Sequence, residues 1–193
     1  MQWNSHSNLE GLHAIIGGSN YHWLNYTPEK LSVILTNLQA KQEGTELHAL
    51  AKQCIDHKIF LRGNSQTLPM YVNDAIRFGM RTEQVLMYSM WCFGTADAIK
   101  YDEKNKFLRI HDLKTGTIPA KMEQLEIYAA LFCLEYGKRY SYKPVDGSME
   151  LRIYQNDDVQ IYNPTADDIL PIMDKIVTFD KYITKWKEQN ENG

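Results

Sequence analysis

The sequence predicts an α/β fold, a mixed β-sheet core flanked by helices. Three observations predict it: a long helical pattern before residue 80, three successive strand-like segments between residues 83 and 114, and a helix, two strands and a helix after them. Strands grouped between helices argue for a sheet that buries its faces under them.

Residues 28–58 form the first helical segment. Pro28 suits a first turn, where its missing N–H costs nothing, and apolar residues recur at Leu31, Ile34, Leu35 and Leu38, then at Leu47, Leu50, Ala51, Cys54 and Ile55. Gly44 marks a point where this stretch can divide into two helices. A shorter helix opens at Pro69 and closes near Gly79. Residues 83–91 are rich in β-formers, and 94–101 continue as a second strand. The polar run Asp102-Glu103-Lys104-Asn105-Lys106 is a hairpin loop into a third strand, 107–114. Pro119 then opens a helix ending near Gly137, with an apolar stripe through Met122, Leu125, Ala129, Phe132 and Cys133. Residues 150–154 and 159–162 pair around Asn156-Asp157-Asp158. A final amphipathic helix follows Pro164, capped by Thr165 with Asp167 and Asp168 in its first turn.

At 193 residues, 44% hydrophobic and 23% charged, the chain reads as one globular domain. Its helical part spans 1–80, its sheet core 81–163 and its last helix 164–190. No apolar stretch approaches the ~20 residues that span a bilayer, and the polar start, Met1 to Asn8, lacks a signal-peptide pattern. The expectation is a cytoplasmic protein without a membrane partner. Cys54, Cys92 and Cys133 are scattered, read as reduced thiols, and supply neither an iron–sulfur set nor a structural zinc site. A formal charge of -3 gives no global attraction to nucleic acid, so polyanion binding would need local basic patches or a metal.

Chemistry concentrates in two motifs. Gly94-Thr95-Ala96-Asp97 is followed, fifteen residues after its aspartate, by Asp112-Leu113-Lys114-Thr115-Gly116. In a strand, Asp112 and Lys114 share a face with Leu108 and Ile110, while Phe107, Arg109, His111 and Leu113 take the other. Burying either charge unpaired is expensive, and mutual pairing or a bound cation removes much of that cost. The residues alone leave both readings open: an ion pair at a strand end, or a cation site for phosphate chemistry. His48 beside Leu47 reads as a core histidine or a site residue. Tyr128 reads as a core aromatic or a ligand contact, Gln124 as solvent-facing or a ligand contact, and Glu83 as a strand-edge acid or part of the site. Lys138, Arg139 and Lys143 interleave with Tyr136, Tyr140 and Tyr142, either as a solvated loop or as a patch for phosphates and bases.

Taken in order, G-T-x-x-H (Gly44, Thr45, His48), G-T-A-D, D-L-K-T-G and Q-x-x-x-Y (Gln124, Tyr128) resemble the PD-(D/E)XK nuclease superfamily, and are most similar to its RecB-like branch. Ala96 precedes the first acid in place of proline, a departure common in that branch. The resemblance implies a restriction-endonuclease-like core of order αβββαβ. It implies that Asp97 and Asp112 hold Mg²⁺ or Mn²⁺, with the Leu113 carbonyl as a further oxygen ligand, His48 reaching the metal from the side and Glu83 as an additional acid. Lys114 would position or activate the attacking water, and Gln124, Tyr128 and Thr115 would contact DNA. The implied function is a metal-dependent DNA nuclease like the small stand-alone exonucleases of phages and prophages, acting in DNA recombination, replication or degradation. The alternatives are a structure- or sequence-specific endonuclease and a non-catalytic DNA-binding accessory protein. Implied partners are DNA, a second copy of the chain, or a recombination protein.

Overall fold

A computed structural model describes residues 14–16 and 21–191; the polar start read from the sequence lies outside them. The chain divides into two compact units, Met1–Gln42 and Glu43–Gly193. Helix α1 (Pro28–Asp56) runs through the boundary.

In the first unit a short 3-10 helix (Tyr21–Asn25) precedes α1, whose start is capped by Thr27, its Oγ1 accepting from the Lys30 N–H at 3.3 Å. Val33, Leu35 and Leu38 of this part remain exposed.

The second unit carries the sheet. It holds α2 (Thr67–Phe78), β1 (Arg81–Ser89), β2 (Cys92–Asp102), β3 (Phe107–Leu113), α3 (Glu123–Tyr140), β4 (Ser148–Gln155), β5 (Asp158–Tyr162) and α4 (Ala166–Glu191). The five strands lie in sequence order, antiparallel except for the parallel pair β3–β4. A parallel pair needs a crossover, and α3 supplies it. The result is an α/β fold with a five-stranded mixed sheet flanked by helices. One sheet face buries Leu86, Leu108, Ile110, Leu151 and Ile153 under Leu125, Ala129 and Phe132 of α3, with Ile169 of α4 behind them. The other buries Ala98, Leu113 and Tyr154 under Ala51, Cys54 and Ile55 of α1 and Tyr71, Val72 and Ala75 of α2. Along β3 the alternation follows the expected faces: Leu108 and Ile110 lie toward α3, while Arg109 stacks 3.8 Å over the Phe78 ring and His111 packs edge-on against the same ring. Among the described residues no helix is long and apolar enough to cross a membrane.

Four helix features differ from the sequence reading, each where another part of the chain meets the helix. Gly44 does not divide α1. It is a buried residue of a continuous helix, and a Cβ there would lie 2.7 Å from Thr115 Oγ1, so its lack of a side chain serves close approach. Helix α2 starts at Thr67, two residues before Pro69, because the β4–β5 turn caps it. Asp157 Oδ1 accepts from the Thr67 N–H at 2.8 Å, and the Asp157 N–H donates to Thr67 Oγ1 at 2.7 Å. Helix α3 starts at Glu123 and not at Pro119, because the Gln155 side chain holds the preceding loop extended: its Oε1 accepts from the Ala120 N–H at 2.9 Å and its Nε2 donates to the Ile118 carbonyl at 2.8 Å. At its other end α3 runs past Gly137 to Tyr140. Gly137 faces the Tyr142 carbonyl, which a Cβ would meet at 2.8 Å. The cap of α4 follows the sequence reading, with Asp168 Oδ2 accepting from both the backbone and the hydroxyl of Thr165, at 2.7 and 2.8 Å.

Candidate active site

The site begins with a break in the alternation of β2. Two residues apart in a strand share a face, yet Ala96 belongs to the core under α3 and Ala98 to the core under α1 and α2. The phase changes at Asp97. Opposite it, Glu83 has φ 49°, a left-handed conformation that a residue with a side chain adopts only where its surroundings hold it. Pairing of β2 with β3 also stops there, at Ala98↔His111, so the strands splay beside Asp97. Splaying would leave the Leu113 N–H without a strand partner, a costly omission in a buried backbone. Asp97 Oδ2 accepts it at 3.0 Å. His48 of α1 closes the other side of that carboxylate, with Nδ1 3.4 Å from the same oxygen.

Asp112 lies in the neighbouring strand and is 1% exposed. Lys114 follows the last residue of β3, its backbone N–H held by the Tyr154 carbonyl of β4 at 2.9 Å. Its Nζ sits 2.9 Å from Asp112 Oδ2 and donates to Gln124 Oε1 at 2.8 Å, and Gln124 Nε2 donates in turn to the Tyr128 hydroxyl at 2.8 Å. Gln124 and Tyr128 are four apart on α3 and therefore share a face. Gly94 makes room for the end of this chain: a Cβ there would lie 2.8 Å from Tyr128 Cε1. Gly44 and Gly94 thus have steric reasons to be glycine, whereas a Cβ at the third motif glycine, Gly116, would meet nothing within 4 Å.

The electrostatics are strained in a consistent direction. Asp112 Oδ2 is fully buried, with the Lys114 ammonium as its partner. Burial and then the charge of Asp97 push the Asp112 carboxyl up to about 6, against the opposing pull of Lys114. Burial and Asp97 also raise Glu83. The sequence reading passed over Tyr71, an apolar-stripe residue of α2. Burial, followed by the charges of Asp97, Asp112 and Glu83, raises its phenol well above the ordinary value. Gln155 was also passed over. No local pattern marks either residue, because their role depends on which elements meet.

No protein-family model and no curated protein matches the chain. The geometry alone therefore describes the site. It brings Asp97 together with His48 and Leu113, and Asp112 with Lys114, Gln124 and Tyr128, the charge of Asp97 bearing on Asp112. Glu83 stands opposite Asp97 and shares its field. Thr115 is exposed and lies against Gly44. Among the described residues no group of three or more His, Cys, Asp and Glu side chains is placed to hold a metal ion. The tyrosines near Lys138 fit neither a solvated loop nor an open stacking patch: Tyr136 and Tyr140 lie in α3 and pack against Phe132 and Tyr101, and Tyr142 is buried. The Tyr142 ring is not available to stack on bases.

The Gly44–Thr115 approach makes a testable prediction. Alanine in a helix is favoured over glycine by up to about 1 kcal/mol, but here its Cβ meets Thr115 Oγ1. Gly44→Ala is expected to lower or leave unchanged the melting temperature of the wild type, and to raise it by about 2–4 °C in a Thr115→Ala background. Equal shifts in the two backgrounds, by differential scanning calorimetry, would show that the close approach carries no weight.

Proposed function

We propose that this protein is a metal-dependent deoxyribonuclease with a restriction-endonuclease-like core, an exonuclease of the RecB-like type that hydrolyses DNA phosphodiester bonds. One observation carries the reading. Asp112, buried with the Lys114 ammonium beside it, heads a lysine–glutamine–tyrosine chain, and the charge of Asp97 bears on it where β2 and β3 splay. Folding has little use for such an arrangement, since it raises the Asp112 carboxyl and spends a lysine on one acid.

The donors fit Mg²⁺ or Mn²⁺. Both ions prefer carboxylate and carbonyl oxygen, and Mg²⁺ commonly takes only one or two carboxylates, filling its remaining positions with water and substrate phosphate. Asp97 and Asp112 would hold the ion with the Leu113 carbonyl, and Asp112 is a buried carboxylate whose charge Lys114 alone does not offset. His48 fixes the far side of Asp97. When bound, such an ion lowers the pKa of a coordinated water and offsets phosphate charge.

The remaining work belongs to side chains. Lys114 neutralises negative charge that builds on the phosphate during in-line attack, and orients the incoming water. Gln124 fixes the lysine by accepting from it. Because Gln124 Nε2 donates to the Tyr128 oxygen, the tyrosine's own O–H is left to donate elsewhere, to a phosphate oxygen of the bound strand. Thr115 lies next in the chain and extends this contact.

Digestion of end-labelled linear DNA and closed circular DNA with Mn²⁺ tests the reading. An exonuclease degrades the linear form, stops on addition of EDTA, and leaves the circle intact. Cleavage of the circle would make it an endonuclease. No cleavage of either form would sink the enzyme reading in favour of a DNA-binding accessory role.

A further inference from the structure

The sequence singles out Lys138 and Lys143 as candidates for a phosphate, and the nuclease mechanism uses neither. Both line a cavity of about 920 Å³ formed by the end of α3, the loop 141–147 and the first turns of α4. Lys106, the residue before β3, lines it too. Among the described residues none of the three forms an ion pair, and Asp146 is the one acid on the cavity wall. Ammonium groups gathered around one space repel one another in the free protein. Helix polarity accounts for a cation at the carboxyl end of α3. Arg139 already supplies one there, stacked over the Tyr140 ring and away from the cavity. Polarity does not account for Lys106 and Lys143, which lie outside the helix.

The lysines are also held in place. Lys106 takes a left-handed backbone, φ 48°, and its Nζ donates to the Ser141 carbonyl at 3.3 Å. That bond uses one of the ammonium's N–H donors and leaves the others for a ligand. The loop carrying Lys143 is fastened by the buried Tyr142 ring, which a Cβ at Gly147 would strike. The Asp146 N–H adds a turn by donating to the Lys143 carbonyl at 3.0 Å. The same loop holds Val145 at 62% exposure, and Leu170 and Met173 of α4 extend an apolar wall beside it. Cys133, also on the wall, is kept as a thiol because burial pushes it up to about 12. The cavity therefore offers cations and an apolar surface without a nucleophile, which suits binding and not reaction.

We propose that this cavity binds a free nucleoside monophosphate, its phosphate between Lys106, Lys138 and Lys143 and its base on Val145, Leu170 and Met173. Lysine acts on phosphate as a point charge, and three lysines offset the up to two negative charges of a monoester. Small-molecule sites occupy roughly 300–1,000 Å³. A bare phosphate would leave most of this one to water, whereas a nucleotide brings a flat body to cover the apolar wall. Tyr128 of the candidate active site and Lys138 are ten residues apart on α3, about 15 Å along the helix. The inference concerns a second site and does not rest on the nuclease reading.

Calorimetric titration of deoxyadenosine monophosphate into the whole chain, in EDTA and low salt, tests it. Wild-type protein is expected to bind one equivalent, and Lys114→Ala to bind as the wild type does. Lys138→Ala and Lys143→Ala, at exposed positions that leave the core intact, are each expected to weaken binding about tenfold. Deoxyadenosine and inorganic phosphate should each bind at least about tenfold more weakly than the nucleotide. Phosphate as tight as the nucleotide would overturn the proposal in favour of an anion held by charge alone. Binding lost in Lys114→Ala and kept in Lys143→Ala would overturn it in favour of the site at Asp112. Binding of phosphatidate vesicles or of a short thymidine oligonucleotide, but not of the mononucleotide, would overturn it in favour of a membrane surface or a strand groove. No binding of any of these probes would overturn it outright.

Discussion

Asp112→Asn is expected to abolish DNA cleavage while raising the melting temperature of the metal-free protein at pH 8. The folded protein holds this carboxyl at about 6 against an ordinary 3.8, chiefly because it is buried and because Asp97 faces it. Each tenfold difference in proton affinity corresponds to about 1.4 kcal/mol. The ionised Asp112 therefore works against folding by up to about 3 kcal/mol at pH 8, a cost a neutral amide of the same shape does not carry. Because the folded value lies above the unfolded one, the protonated group supports folding fully below about 4 and loses that contribution as pH rises through about 6. The advantage of the variant should thus be largest at pH 8 and vanish toward pH 4. Thermal scans in EDTA across that range check it. A melting temperature equal to or below that of the wild type at pH 8 would mean that Asp112 is comfortably accommodated and that its burial says nothing about a cation.

Lys114→Ala is expected to lower kcat by about 10²–10³ with little change in KM, the signature of a charge that matters when the phosphate is under attack. Its ammonium has two partners, Asp112 and Gln124, and both are fixed by β3 and α3. Removing it also removes a group that holds the Asp112 carboxyl down. The acid limb of the residual activity should therefore move to higher pH than in the wild type, since Asp112 must lose its proton to hold the ion. A kcat within a few-fold of wild type, or an unmoved acid limb, contradicts the role given to the lysine.

Much of this site was legible because its parts are local in sequence. The Asp112–Lys114 spacing gives a shared face in any strand, the Gln124–Tyr128 spacing gives one in any helix, and each pair depends on nothing distant. The mixed sheet followed from the grouping of strands between helices for the same reason. What could not be read is what depends on elements meeting. Gly44 looks like a helix break until Thr115 lies against it, and nothing local explains the glycine at 94 in its strand until the Tyr128 ring covers it. Period-two alternation fails at Asp97 because β2 parts from β3 there, and Glu83 absorbs the mismatch in its backbone. Pro119 is a fair helix start by local rules. It loses to Gln155, thirty-six residues later, whose side chain occupies the backbone groups the first turn would use. Leu35 and Leu38 carry the helical period of Leu31 and Ile34 but stay exposed, and Leu31 and Ile34 are only half-buried.

Calorimetric titration of Mn²⁺ into the metal-free protein near pH 7.5 tests the convergence of Asp97 and Asp112 on a cation most directly. The wild type is expected to bind the ion, with affinity falling as pH drops through about 6, and Asp97→Asn and Asp112→Asn are each expected to lose that binding. Mn²⁺ binding of wild-type strength in either variant, or none in the wild type, would contradict the account.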